Sequence, residues 1–258
     1  MPLFALSTEL PFTALLNRLL GGVAAALLDK LGIHPHDPQH PFTNWMAMQV
    51  LVALVLILFF AFLRTRLSVA SPGAWQHLVE TVHEFVENQS REIIGHHSER
   101  FTPFLVALGL FIFSCNMIGL VPGFESPTAN PAVTLGCAVS AFCYYNLQGI
   151  RKQGALRYTQ HFLGPSDPGM SLFIRVPLAI LMLPIEIISH LARMLSLTIR
   201  LFANIFAGDM VTLVFFSLVP IGIPVLFNGL HIAVSFLQAY IFVLLTTVYL
   251  SGAVAEEH

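Results

Sequence analysis

Long apolar runs alternate with short polar breaks along this chain, and their lengths predict helices that cross a lipid bilayer. Trp45 to Leu63 is a run of 19 residues in which Gln49 is the only strongly polar side chain. Phe104 to Val121 forms a second run and Ala132 to Leu147 a weaker third. Each approaches the ~20 residues with which a helix spans about 30 Å of hydrocarbon. Pro122, Gly123, Pro127 and Pro131 break the chain between the second and third runs, which are read as a hairpin.

The fourth region, Leu172 to Leu250, is apolar almost throughout and is broken most clearly at Pro220-Ile221-Gly222-Ile223-Pro224. The stretch before that break would measure roughly 70 Å as continuous helix, longer than any upright span. Strong tilt, or bends at Pro184 and Gly208, would accommodate it, and two long slanted antiparallel helices fit the pattern best. Two further stretches have a helical period. Phe12, Leu15, Leu16, Leu19, Val23 and Leu27 make a stripe interrupted by Asn17 and Arg18, which predicts a short interfacial helix. Trp75, Leu78, Val79, Val82, Phe85, Val86, Ile93 and Ile94 recur at helical spacing, with Glu80, Glu84, Glu87 and Arg91 on other faces. That pattern predicts an amphipathic helix on the membrane surface or under partner subunits.

Basic residues set the orientation. Arg64 and Arg66 follow the first run, Arg151, Lys152 and Arg157 follow the third, and 122–131 holds Glu125 with no basic residue. By the positive-inside rule the N-terminus is outside, 64–100 and 151–171 are cytoplasmic, 122–131 and the region near residue 220 are outside, and the tail Glu256-Glu257-His258 is cytoplasmic. The expected fold is all-α and integral to the membrane, with about five membrane-embedded helices and one amphipathic surface helix. Its parts are an external N-terminal segment with the interfacial helix (1–43), a first transmembrane helix (44–64), the amphipathic cytoplasmic-side helix (72–97), a transmembrane hairpin (102–149), a cytoplasmic loop (150–171), a long tilted hairpin (172–250) and a cytoplasmic tail (251–258).

Composition changes the picture little. Of 258 residues 56% are hydrophobic and only 10% charged, and mean hydropathy is +0.77. A soluble domain carries roughly a quarter charged residues, so the outer surface is read as lipid-facing. The net charge of −2 gives no reason to expect nucleic acid. Cys115, Cys137 and Cys143 lie in apolar runs without CxxC spacing, which argues against a disulfide framework or a zinc site; no metal and no cofactor are expected. Met1 to Leu10 contain no basic residue, so a cleaved signal peptide is not expected.

Candidate chemistry lies in the fourth region. Its charged residues are Arg175, Glu186, Arg193, Arg200 and Asp209. Glu186, His190, Arg193, Arg200 and Asn204 share one face of a helix. Asn228, His231, Ser235, Gln238, Thr246 and Tyr249 make a second, broader stripe on the last helix. Polar groups lined up at membrane depth describe a wet path or a packed interface, because lipid does not tolerate them. An intramembrane charge costs on the order of 3 kcal/mol, so each needs a partner or a function. Two readings stay open for Arg193, which either pairs with Glu186 about two turns away or acts in the path, and likewise for His190, a packing residue or a functional one. Arg200 has no acid within a turn on its own face, so its partner must come from another helix or another subunit. Asp209 lies half a turn out of phase and should face the hairpin's other helix. Depth groups Asp209 with His231 at an outer access and Glu186 with His190 at an inner one.

These residues carry a resemblance. Ser196-Leu-Thr-Ile-Arg200-Leu-Phe-Ala-Asn204-Ile-Phe-Ala-Gly208-Asp209 resembles the signature of subunit a of F-type ATP synthases. His231 with Gln238, the run from Asn116 to Pro122, Pro127 to Asn130, Val133-Thr134 and the closing Val248-Tyr-Leu-Ser add to it, over nearly the whole chain from about residue 40. The resemblance implies a bacterial cytoplasmic membrane protein that is not catalytic by itself. It implies partnership with a ring of c subunits, with peripheral-stalk b subunits and with the rest of the complex. Each ring subunit carries one membrane carboxylate, the acid that Arg200 lacks. Two offset half-channels are implied: an outer one past Asp209 and His231, with Asn204 and Gln238 nearby, and an inner one near Glu186 and His190. Arg200 would favour the ionised ring carboxylate and block leakage, a role suited to a guanidinium that stays charged. Arg193 and Ser196 are tuning positions. Two residues depart from the family pattern, Asp209 where glutamate is frequent and Arg193 where lysine or a neutral residue is frequent.

Other classes fit less well. A secondary transporter would show paired, similar halves, and no internal repeat is visible. An intramembrane hydrolase would need a nucleophile or metal motif, and the chain has neither HExxH nor GxSxG.

Overall fold

A computed structural model describes residues 10–30, 41–68, 72–95, 97–121, 123–154, 172–218 and 222–254. Seven α-helices and no strand occur among the described residues: α1 (Pro11–Lys30), α2 (Asn44–Thr65), α3 (Ala74–Ile94), α4 (Thr102–Met117), α5 (Pro131–Gln153), α6 (Leu172–Leu218) and α7 (Ile223–Val254). Short 3-10 turns join α4 to α5 at Ile118–Leu120 and Pro127–Ala129. The expected cytoplasmic loop beyond Gly154, the last four residues of the tail, residues 219–221 within the expected break near Pro220, and 1–9 and 31–40 of the N-terminal segment lie outside the described residues.

Among the described residues, four segments are long and apolar enough to cross a membrane: Asn44–Thr65, Thr102–Leu120, Ile180–Phe215 and Val225–Val254. The third expected span is a helix, α5, but Tyr144, Tyr145, Asn146, Gln148, Arg151 and Lys152 dilute its apolar character, and it is not among those four. The long stretch is one continuous helix with Pro177 and Pro184 inside it, not two pieces. Proline can be held inside a membrane helix because neighbouring groups re-satisfy the freed carbonyls.

The chain divides into two compact units. The first comprises Met1–Ser71, Phe111–Val133 and Ala203–Phe236, the second Pro72–Leu110, Thr134–Phe202 and Leu237–His258.

In the first unit α2 packs against α1 and against the turn at Pro127–Ala129. Asn17, which interrupts the apolar stripe of α1, has a structural use. Its Nδ2 donates to the Phe42 carbonyl at 3.1 Å and its Oδ1 accepts from the Phe42 amide at 3.0 Å. Leu16, Ala47, Met48, Val52, Ile112 and Cys115 are buried in this unit. A Cβ at Gly119 would stand 2.8 Å from Ser126 Cβ, so only glycine lets the chain at Ser126 fold back onto the 3-10 turn Ile118–Leu120.

In the second unit Val86, Leu105, Val106, Tyr145, Val243 and Leu250 share a core. A Cβ at Gly109 would lie 2.8 Å from Val243 Cγ2, so the missing side chain permits close approach of α4 to α7. The face of α3 carrying Val86 and Ser90 is buried, while Trp75, Leu78 and Phe85 stay exposed. Ser251 Oγ donates to the Ile93 carbonyl at 2.9 Å, and Phe85 packs on Tyr240. Lys152 Nζ and Gln153 Nε2 donate to the carbonyls of Val254 and Ala253 at 3.0 and 3.2 Å. They thereby cap the end of α7, where the last carbonyls have no helical partner.

Candidate functional site

In the second unit, one turn of α6 separates Glu186 from His190, so their side chains meet on one face: His190 Nε2 lies 3.3 Å from Glu186 Oε1. The other imidazole nitrogen, Nδ1, is 2.8 Å from the hydroxyl of Tyr145 on α5. His190 and Tyr145 are buried, and Glu186 is about one third open at 31%. Arg193 does not pair with Glu186. Its guanidinium lies over the ring of Tyr249, 5.4 Å from the centroid, a cation–π contact in place of the ion pair weighed from sequence. Seven residues bring two α6 side chains onto the same face but two turns apart, whereas His190 is only one turn from the carboxylate.

Arg200 is half-buried, and its Nη2 donates to Ser196 Oγ, one turn earlier, at 3.4 Å. Among the described residues no carboxylate lies within 4 Å of its guanidinium. A serine hydroxyl orients the group without neutralising it. Gln238 on α7 is buried in this unit.

In the first unit, Asp209 on α6 faces His231 on α7, with Oδ1 3.5 Å from Nδ1. His231 is buried, and the Asp209 side chain is 35% exposed. His231 Nε2 lies 3.2 Å from the main-chain carbonyl oxygen of Asn116. A carbonyl only accepts, so the contact fixes a proton on Nε2. Neutral His231 therefore turns a bare Nδ1 towards Asp209. The pair has room for one further proton, as imidazolium with carboxylate or as imidazole with carboxylic acid; 3.5 Å is ion-pair distance when that proton is bound, and a small closing movement makes it a hydrogen bond. Asn204 lies exposed on α6 in this unit.

Sequence reading missed the network that holds His231. Thr128 Oγ1 donates to Asn116 Oδ1 at 2.6 Å; the Ser126 and Thr128 hydroxyls are 3.0 Å apart, and Ser126 Oγ contacts the Cys115 carbonyl at 3.1 Å. Asn116 was legible as a polar residue within an apolar run, but its role depends on the returning turn. Tyr145 was missed as well, since 45 residues separate it from His190.

The fold and the site define an all-α, multi-pass membrane protein that holds histidine–carboxylate pairs and an arginine within its apolar helices. Residues 46–251 match the family described as ATP synthase A chain. The chain is 50% identical to an ATP synthase subunit a of Koribacter versatilis, over 97% of this chain and 98% of that one. It is 48% identical to an ATP synthase subunit a of Solibacter usitatus (94% and 99% of the two chains) and 40% identical to one of Campylobacter fetus (85% and 94%). The chain belongs to the ATP synthase A chain family, a membrane protein of ATP synthesis and ion transport.

Proposed function

We propose that this chain is the proton-conducting stator subunit of the membrane sector of an F-type ATP synthase, set in a bacterial cytoplasmic membrane and working beside a ring of c subunits and peripheral-stalk b subunits. The observation that carries the reading is Arg200: a half-buried guanidinium, tethered to Ser196, with no carboxylate within 4 Å among the described residues. A permanent charge in an apolar helix is retained for a function, and an acid arriving from another subunit supplies the missing partner. The chain itself makes and breaks no covalent bond in ATP. It loads and unloads protons, and rotation of the ring carries them.

Asp209 and His231 take a proton from outside; holding one shared proton between them suits them to pass it on. Asn204 and Gln238 guide it to a ring carboxylate, which becomes neutral and can face lipid. After nearly a full turn the carboxyl reaches the inner path, where Glu186 and His190 accept the proton. Arg200 stands between, favours the ionised ring carboxylate, and repels a proton that would pass straight through. Arg193 and Ser196 adjust the inner path and the guanidinium. The N-terminus is outside and the C-terminus cytoplasmic. Arg200→Ala tests the reading: ATP synthesis driven by an imposed proton gradient should vanish while the complex still assembles. Wild-type synthesis in that variant would sink it.

A further inference from the structure

Tyr145 belongs to no part of the path described above, yet its hydroxyl lies 2.8 Å from His190 Nδ1 in a buried setting, with the tyrosine only 2% exposed. Phe142 stands edge-on to both rings, at 5.4 Å from Tyr145 and 6.1 Å from His190. The opposite imidazole nitrogen faces Glu186 Oε1 at 3.3 Å. We infer that Tyr145 is a positioning residue of the inner relay, holding His190 with its Nε2 hydrogen aimed at Glu186. The inference rests on the reading of Glu186 and His190 as the inner path.

A phenol ordinarily keeps its proton to about pH 10, so at working pH it donates to Nδ1 of the neutral imidazole. The single ring hydrogen is then left on Nε2, facing a carboxylate that, when ionised, only accepts. In the imidazolium both ring nitrogens carry hydrogen, so Nδ1 donates to the phenol oxygen while Nε2 still donates to Glu186. Both protonation states keep the same ring orientation, and no step needs the imidazole to flip. Without the hydroxyl, the imidazole can carry its one hydrogen on Nδ1, which sets a bare Nε2 lone pair against the ionised Glu186 carboxylate and removes the hydrogen bond that holds the two groups in register. Among the described residues, the titratable groups that meet His190 include Glu186 on its own helix and Tyr145 on α5. Tyr249 of α7 packs against Tyr145 at 6.2 Å and carries Arg193 over its ring.

The test uses the assembled complex in vesicles, with proton flux measured against inner-side and outer-side pH for Tyr145→Phe, His190→Ala and the double variant. Each flux is normalised to complex that co-purifies with the ring. Tyr145→Phe should slow flux about 3–10-fold, the effect of one lost hydrogen bond, and should change the inner-side pH profile alone. In the His190→Ala background the same substitution should change nothing further. Wild-type flux and profile in Tyr145→Phe, or a loss that multiplies unchanged onto His190→Ala, would overturn the inference. Arg200→Ala in the same vesicles keeps the two readings apart. If it stops coupled synthesis while Tyr145→Phe is silent, only the tyrosine assignment falls; if it leaves synthesis intact, the reading of the whole path falls.

Discussion

Replacing His231 with glutamine tests the proposed proton-holding role of the Asp209–His231 pair. The glutamine amide is close to imidazole in length and can still donate to the Asn116 carbonyl, which His231 Nε2 meets at 3.2 Å. It cannot take up a proton beside Asp209. Opposite unit charges at the 3.5 Å separation of His231 and Asp209 attract by about 5 kcal/mol at an effective dielectric of about 20, before any desolvation cost. The Asp209 side chain is 35% exposed, and burying His231 costs hydration, so the usable coupling falls to about 1–2 kcal/mol. Expressed as a barrier to proton uptake, that is about a 5–30-fold loss of rate. The assay is ATP synthesis in vesicles under an imposed gradient, recorded as a function of outer pH with inner pH held constant. His231→Gln should show the slower rate and a flattened outer-pH profile, with the inner-pH profile unchanged. A wild-type rate and profile would refute the assignment of a shared proton to this pair.

Two structural variants follow from the same packing. Thr128→Val removes the 2.6 Å hydrogen bond to Asn116 Oδ1 and leaves that buried oxygen short of a donor, which should cost about 1–3 kcal/mol; thermal dissociation of the complex should fall in temperature, and His231→Gln should then cost less than in the wild type because its support is already loosened. Gly109→Val places its Cβ against Val243 Cγ2, where even the first carbon stands at 2.8 Å, and should destabilise the assembled protein by about 1–3 kcal/mol, while Gly109→Ala costs less because a valine methyl can give a little. A Gly109→Val complex as heat-stable as the wild type would show that α4 and α7 have room to spare.

The helices were largely legible because lipid enforces long apolar runs, and Trp45 to Leu63 reads as α2 almost to the residue. α5 was harder, since tyrosines and amides mark a helix packed against protein more than one facing lipid. Within the site, spacing exposed Glu186 with His190, because four residues bring two side chains onto one helical face. Asp209 and His231 lie on different helices, α6 and α7, so phase could say only that Asp209 faces the other helix. Arg193 shows the limit of pairing charges by sequence, since its guanidinium meets an aromatic face on α7 and not Glu186, one of the two readings the spacing left open. Asn17 shows the converse: a polar break in a stripe was a tie to the backbone of Phe42. Tyr145 and Thr128 lay beyond reach, because tertiary hydrogen bonds leave no period in the sequence.

The acid answering Arg200 is proposed to belong to another subunit. Cysteine cross-linking in the assembled complex addresses it directly, pairing Arg200→Cys with a cysteine placed one turn from the membrane carboxylate of the ring subunit. An oxidant-dependent product joining the two chains is expected, and no product when the chain's cysteine is moved to exposed Leu195, on another face of α6. Absence of the first product in an assembled complex, with cross-linking from Leu195→Cys instead, would contradict that assignment.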